Sequence, residues 1–168
     1  RVYLWVYWPF QDTLISQSLI YKIGRRDVDI QPVLLAINPQ TGKETQLYKG
    51  KRQDWDKDFD TPKIAGFSEE SREIAVLTSD KDRTDLVAIN VDKGKRRRLA
   101  RGNSRTLRWS LNDNFEPILR FDRGRDEVEE IIYARDQGGD WVPIERVNKV
   151  ENEFIPNTTA DEESTLLV

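Results

Sequence analysis

The chain contains no cysteine, no histidine and no methionine. Without cysteine there is no disulfide and no thiolate chemistry, and cysteine usage carries no signal of redox compartment. Without histidine no Ser–His pair can form, so these 168 residues hold no serine nucleophile of the usual kind. The missing methionine, with Arg1 as first residue, predicts a processed or excised piece of a longer protein. No apolar run approaches the roughly 20 residues a membrane helix needs. No signal peptide is visible, and no membrane contact is expected. An excess of positive charge is also missing. Lys and Arg number 27 against 30 Asp and Glu, a net charge of −3, which argues against a nucleic-acid partner.

What the chain does have is a repeat. Leu34-Leu35-Ala36-Ile37-Asn38-Pro39-Gln40-Thr41-Gly42-Lys43 returns as Leu86-Val87-Ala88-Ile89-Asn90-Val91-Asp92-Lys93-Gly94-Lys95. The shift is 52 positions (36 to 88), and it also carries Leu47 onto Leu99 and Gly50 onto Gly102. A looser third copy, Ile131 to Gly138, follows 44 positions after the second (94 to 138). Each copy is a short apolar run rich in β-branched residues, a turn with Asn or Asp early and Gly late, and a second short run. Such runs read as buried strands. The glycine supplies the positive φ of the reversal, and the Asn or Asp side chain bonds the turn backbone. Repeats of this length signal a repeat architecture.

In chain order, Val2–Trp8 reads as a strand, Pro9–Ser16 as a connection and Ser18–Ile23 as a second strand. Gly24–Gln31 reads as a charged loop, and Val33–Ile37 and Thr45–Tyr48 complete a first unit over residues 1–50. Lys51–Pro62 reads as an acidic link. Residues 62–102 then give four strands, with Ser68–Arg72 as the first hairpin turn. Residues 105–148 give four more, with Asn112-Asp113-Asn114 as the first turn and Pro117 at the start of the second strand. Residues 153–168 read as the first hairpin of a further unit. Four short antiparallel strands per unit is the pattern of a propeller blade. The fold expected is therefore all-β, a partial β-propeller of about three and a half four-stranded blades.

The turn pattern Asn-x-x-Thr-Gly-Lys followed by a short strand ending at Gly resembles the N-terminal propeller of prolyl oligopeptidase-type serine peptidases. Leu107 to Asn114, Ile131 to Arg135 and Trp141 to Ile144 are similar to a middle blade of bacterial dipeptidyl- or acylaminoacyl-peptidase relatives. The resemblance runs from about Val33 onward. It implies a non-catalytic segment that caps a C-terminal α/β-hydrolase domain of the same parent chain and filters peptide substrates by size. The catalytic serine, aspartate and histidine would belong to that second domain. The alternative is a stand-alone propeller that binds a protein or glycan partner.

The candidate sites are few. Gly102-Asn103-Ser104-Arg105-Thr106 is the nearest approach to a nucleophile elbow, but it lacks the second glycine and lies between units, so Ser104 reads as a loop residue. Asp54, Asp56, Asp58 and Asp60 alternate, as carboxylates around calcium do. An EF-hand loop needs Gly and Glu where Phe59 and Ala65 stand, so the run reads as a solvated link. Lys93, Lys95, Arg96, Arg97 and Arg98 read as an exposed turn and outer strand whose charges protect an edge. Glu69-Glu70, Glu129-Glu130 and Glu162-Glu163 are paired acids. In dipeptidyl peptidases of the resembled family such a pair, in a helical insertion, binds the substrate amino end; none of these lies in one. Arg123 and Arg125 flank a turn glycine, and Asn157-Thr158-Thr159 fits a glycosylation acceptor. No cofactor is expected. An open run of units leaves edges uncovered, so the isolated piece is expected to self-associate.

Overall fold

A computed structural model describes residues 2–23, 28–51, 53–54, 62–80, 83–126 and 128–148. Among these residues every regular element is a strand. The first sheet holds β1 (Val2–Phe10), β2 (Thr13–Ile23), β3 (Val28–Ile37) and β4 (Glu44–Lys49), in that order, with β5 (Gln53–Asp54) returning to β3. The second holds β6 (Lys63–Ser68), β7 (Glu73–Asp80), β8 (Arg83–Asn90) and β9 (Arg96–Ala100). The third holds β10 (Thr106–Leu111), β11 (Pro117–Arg123), β12 (Glu129–Arg135) and β13 (Trp141–Asn148). All pairings are antiparallel, and each sheet is a meander in chain order.

The strands are longer than the sequence suggests. Pro9–Ser16 is not a connection. Pro9 and Phe10 end β1, only Gln11 and Asp12 turn, and β2 begins at Thr13. The reason is pairing and burial: Leu14 and Ile15 pair with Ile37 and Ala36 of β3, and Ile15 is fully buried. The Gly24–Gln31 segment is not all loop either, since Val28 to Gln31 belong to β3. Pro32 therefore lies inside a central strand. It is tolerated because β4 pairs with residues 33–37 and β5 with residues 29–30, so Pro32 falls at the seam where no donor is needed. Its carbonyl accepts from the Gly50 amide at 2.8 Å. The acidic link contributes β5 at its start, while Asp56, Asp58 and Asp60 lie outside the described residues, as do 153–168.

The first two repeated turns share one geometry, and the third is a shorter variant of it. Asn38 Oδ1 accepts from the amides of Gln40 and Thr41, and the Gly42 amide donates to the Asn38 carbonyl. Asn90 Oδ1 accepts from Lys93, with Gly94 donating to the Asn90 carbonyl. Asp136 Oδ1 accepts from Asp140, with Gly139 donating to the Asp136 carbonyl. Gly42, Gly94 and Gly139 have φ of 69°, 66° and 88°, where a side chain is strained. In the third copy the special glycine is Gly139, one place beyond the Gly138 that sequence alignment selects.

The sheets stack face to face. Strand alternation sends Ile74, Val76 and Ile89 of the second sheet towards Phe10, Ile15, Leu34, Ala36 and Leu47 of the first. It sends Ala75, Leu77, Leu86, Ala88 and Ala100 towards Trp109 and Phe115 of the third. Large aliphatics meet large aliphatics on one side, and alanines admit two aromatic rings on the other. Ile74→Ala is expected to cost about 2–5 kcal/mol, and Ala75→Leu about 1–3 kcal/mol through overpacking. Urea unfolding of both variants checks this; a neutral Ala75→Leu is the outcome that contradicts tight packing between the second and third sheets.

Candidate functional site

Two hairpin turns put a residue other than glycine in the left-handed region. Arg72 has φ 51° in the β6–β7 turn, and Phe115 has φ 61° in the β10–β11 turn. Such a conformation costs about 1–2 kcal/mol, and each is held by tertiary contacts. Phe115 is buried in the second–third sheet core, with its amide on the Asn112 carbonyl. Arg72 is held by charge. Its Nε donates to Asp92 Oδ2 at 2.8 Å and its Nη2 to Asp92 Oδ1 at 2.9 Å. Its Nη1 donates to Asp12 Oδ1 at 3.0 Å, its Nη2 also reaches Thr13 Oγ1 at 3.1 Å, and the guanidinium lies over the Phe10 ring. Asp12 is in the first sheet's opening turn and Asp92 in the second sheet's Asx turn, so one arginine ties three turns and two sheets.

Arg72's hydrogen bonds hold both carboxyls below their ordinary value, and the carboxylates push the guanidinium's pKa further up. The carboxyls' folded pKa is depressed, so the clamp's contribution is present above 3.8 and is lost as pH falls through the lower folded value.

A second knot pins the link between sheets two and three. Asp122, 3% exposed on β11, accepts from Asn103 Nδ2 and Thr106 Oγ1, both at 2.8 Å, and forms an ion pair with Arg120 Nη2 at 3.0 Å. Asp85 on β8 accepts from the Gly102 amide at 3.2 Å. Arg120 also lies over the Tyr133 ring, 4.3 Å from its centroid. Among the described residues, Arg120 Nε and Trp109 Nε1 are buried donors without an acceptor.

An open cleft of about 600 Å³ separates β9 from the third sheet, lined in part by Arg97, Leu99, Phe115, Pro117, Ile118 and Arg135. Its guanidiniums are engaged: Arg97 is bidentate on Glu73, at 3.1 and 2.6 Å, and Arg135 lies over Trp141. Arg97 holds the Glu73 carboxyl below its usual range. The cleft can admit a polar ligand, but it brings no nucleophile together with a base.

The sequence-selected residues are scattered. Ser104 is exposed in the turn before β10, flanked by Asn103 and Thr106, whose side chains serve Asp122. The basic run faces several ways: Arg96 donates to the Leu47 carbonyl at 2.6 Å, Arg97 to Glu73, and Arg98 lies 3.8 Å from Asp85. Glu69 and Glu70 are exposed turn residues, whereas Glu129 accepts from Arg146 and buried Glu130 from Arg108. Arg123 and Arg125 are exposed beside Gly124. Of the candidate calcium ligands, only the backbone of Asp54 is described, paired to Asp29 of β3. Glu162-Glu163 and Asn157-Thr158-Thr159 lie outside the described residues. Among the described residues no three acidic side chains are grouped closely enough to hold a metal. The residues that sequence reading missed are Asp12, Arg72, Asp92, Asp85 and Asp122. Their partners lie up to 60 positions away, beyond any local pattern.

No family model matches the chain, and no curated protein or solved structure is significantly similar to it.

Three measurements test these knots. Arg72→Gly relieves the left-handed strain yet is expected to unfold at lower temperature than the wild type; a stabilised variant would mean that the strain outweighs the clamp. The wild type is expected to lose more stability than Asp92→Asn between about pH 5 and pH 3. Asp122→Ala is expected to cost about 3 kcal/mol or more, because it strands Arg120 in a buried site; denaturant titration reads it directly.

Proposed function

We propose that the three sheets are consecutive blades of a β-propeller, and that the chain is the non-catalytic propeller segment of a prolyl oligopeptidase-type serine peptidase. In this role it caps an active site carried by a C-terminal α/β-hydrolase domain and admits peptides by size. The observation that carries the reading is the order of packing. Each sheet is a meander, each packs its face on the next, and the first strands are neighbours. Tyr7 of β1 lies 6.0 Å from Phe67 of β6 between ring centroids, and a Cβ on Gly66 of β6 would meet Leu111 of β10 at 3.1 Å. First strands drawn together at one edge, with a cleft opening between β9 and the third sheet, suit blades set around an axis. The shared Asx turns suit repetition of one unit.

The chain then binds and excludes; it does not react. With no histidine anywhere, it is expected to show no peptidase activity and no labelling by a serine-directed fluorophosphonate. The deciding experiment is to read the parent frame beyond Val168. Gly-x-Ser-x-Gly after further strand units, followed by an Asp and then a His, is the expected result. A frame that ends once a ring can close overturns the peptidase assignment. It would favour a stand-alone binding propeller, a reading to which the exposed apolar strand β1 also lends weight.

A further inference from the structure

The first strand differs from every other. Val2-Tyr3-Leu4-Trp5-Val6-Tyr7-Trp8-Pro9-Phe10 is the one described strand with no charged residue. It is an edge, paired on one side to β2 and on the other to nothing among the described residues. Five consecutive large apolar residues in it face solvent. Trp5 is 64% exposed, Val6 58% and Trp8 65%, with Leu4 and Tyr7 also exposed. The other sheet edges carry the usual protection. β9 has Arg96, Arg97 and Arg98; β13 has Pro143, Glu145 and Arg146; β4 has Glu44 and Lys49; β6 has Lys63; β10 has Arg108. On β1, Pro9 and irregularities against β2 at Leu4 and after Tyr7 interrupt the ladder, but no charge does, and an apolar edge without charge is a template for strand addition.

The order of its residues selects the partner. Tyr3-Leu4-Trp5-Val6-Tyr7 reads nearly the same in both directions about Trp5. Antiparallel pairing with an identical strand about the regular stretch Trp5–Tyr7 therefore sets Trp5 opposite Trp5, with Val6 beside Leu4 at the irregularity. Those are aromatic and aliphatic cross-strand pairs, which stabilise a sheet. A two-fold interface asks for this kind of self-complementary patch. Any other described strand of the chain would bring a charge against the apolar row. We propose that β1 is a homodimerisation edge: two copies of this chain join their first sheets through antiparallel β1–β1 pairing centred on Trp5. The inference rests on β1 alone, and its failure leaves the propeller reading untouched.

The test uses the full 168-residue chain. Light scattering and sedimentation over a wide concentration range are expected to show a concentration-dependent mass rising from one to two times 19.7 kDa and stopping there. Trp5→Lys sets like charges opposite each other. It is expected to raise the dimer dissociation constant by about tenfold or more, with an unchanged far-ultraviolet circular dichroism spectrum. Because the chain lacks cysteine, introduced thiols report register. Trp5→Cys is expected to give a disulfide-linked dimer on mild oxidation, while Ile144→Cys, also exposed on β13, gives no covalent dimer. A monomer at every concentration overturns the proposal. So does a mass that grows past two chains, a Trp5→Lys variant that dimerises as well as the wild type, or equal crosslinking at positions 5 and 144.

Discussion

The second sheet is buried on both of its broad faces, and the rest of the molecule is arranged around that demand. A β-strand offers alternate residues to opposite sides, so a sheet with two dry faces needs apolar residues without alternation. Ile74-Ala75-Val76-Leu77 and Leu86-Val87-Ala88-Ile89 meet this need. They also divide it: Ile74, Val76 and Ile89 lie on the side of the first sheet, while Ala75 and Ala88, beside Leu77 and Leu86, leave room on the side of the third. That division gives the sheet a direction. It can receive Trp109 and Phe115 on its alanine face only, so its two neighbours cannot be exchanged.

The strands that cover a face on each side were legible because their pattern is local. Val33–Ile37, Leu86–Ile89 and Val128–Tyr133 announce themselves by β-branching and bounding turn residues, and the Asx turns at Asn38 and Asn90 by a single spacing. The beginning of β2 was not legible, because Thr13 to Ser16 look polar and turn-like until Ser16 and Ser18 are seen hydrogen-bonded to each other in the interior, 2.9 Å apart. Pro32 misled for a related reason: what licenses it is the seam between β4 and β5, and that seam is a tertiary fact. The ionic knots were invisible for the same cause. Asp12, Arg72 and Asp92 are ordinary turn residues by composition, and only packing brings them together.

Polar chemistry in this chain serves positions more than reactions. The arginines of the basic run on β9 reach the Leu47 carbonyl, Glu73 and Asp85. Their directions follow from strand alternation, which turns Arg96 towards the first sheet and sets Arg97 opposite Ala88, on the face towards the third. A basic run on a strand thus splits into different environments, whereas the same run on a loop could converge. The apolar charge-free strand is the opposite case. Its residues are few in kind, and nothing else among the described residues competes for its free edge.

Arg72 also has a bearing on the order of folding. A left-handed arginine makes the β6–β7 hairpin a poor local nucleus, since the turn gains its full compensation only when Asp92 arrives from the β8–β9 turn and Asp12 from another sheet. Hairpins closed by Gly94 or Gly139 carry no such debt and can form early. The second sheet's first hairpin should therefore consolidate late, after the first sheet has docked. Neighbouring units are then coupled kinetically as well as by contact, and a repeat array that could nucleate anywhere acquires a preferred sequence of assembly.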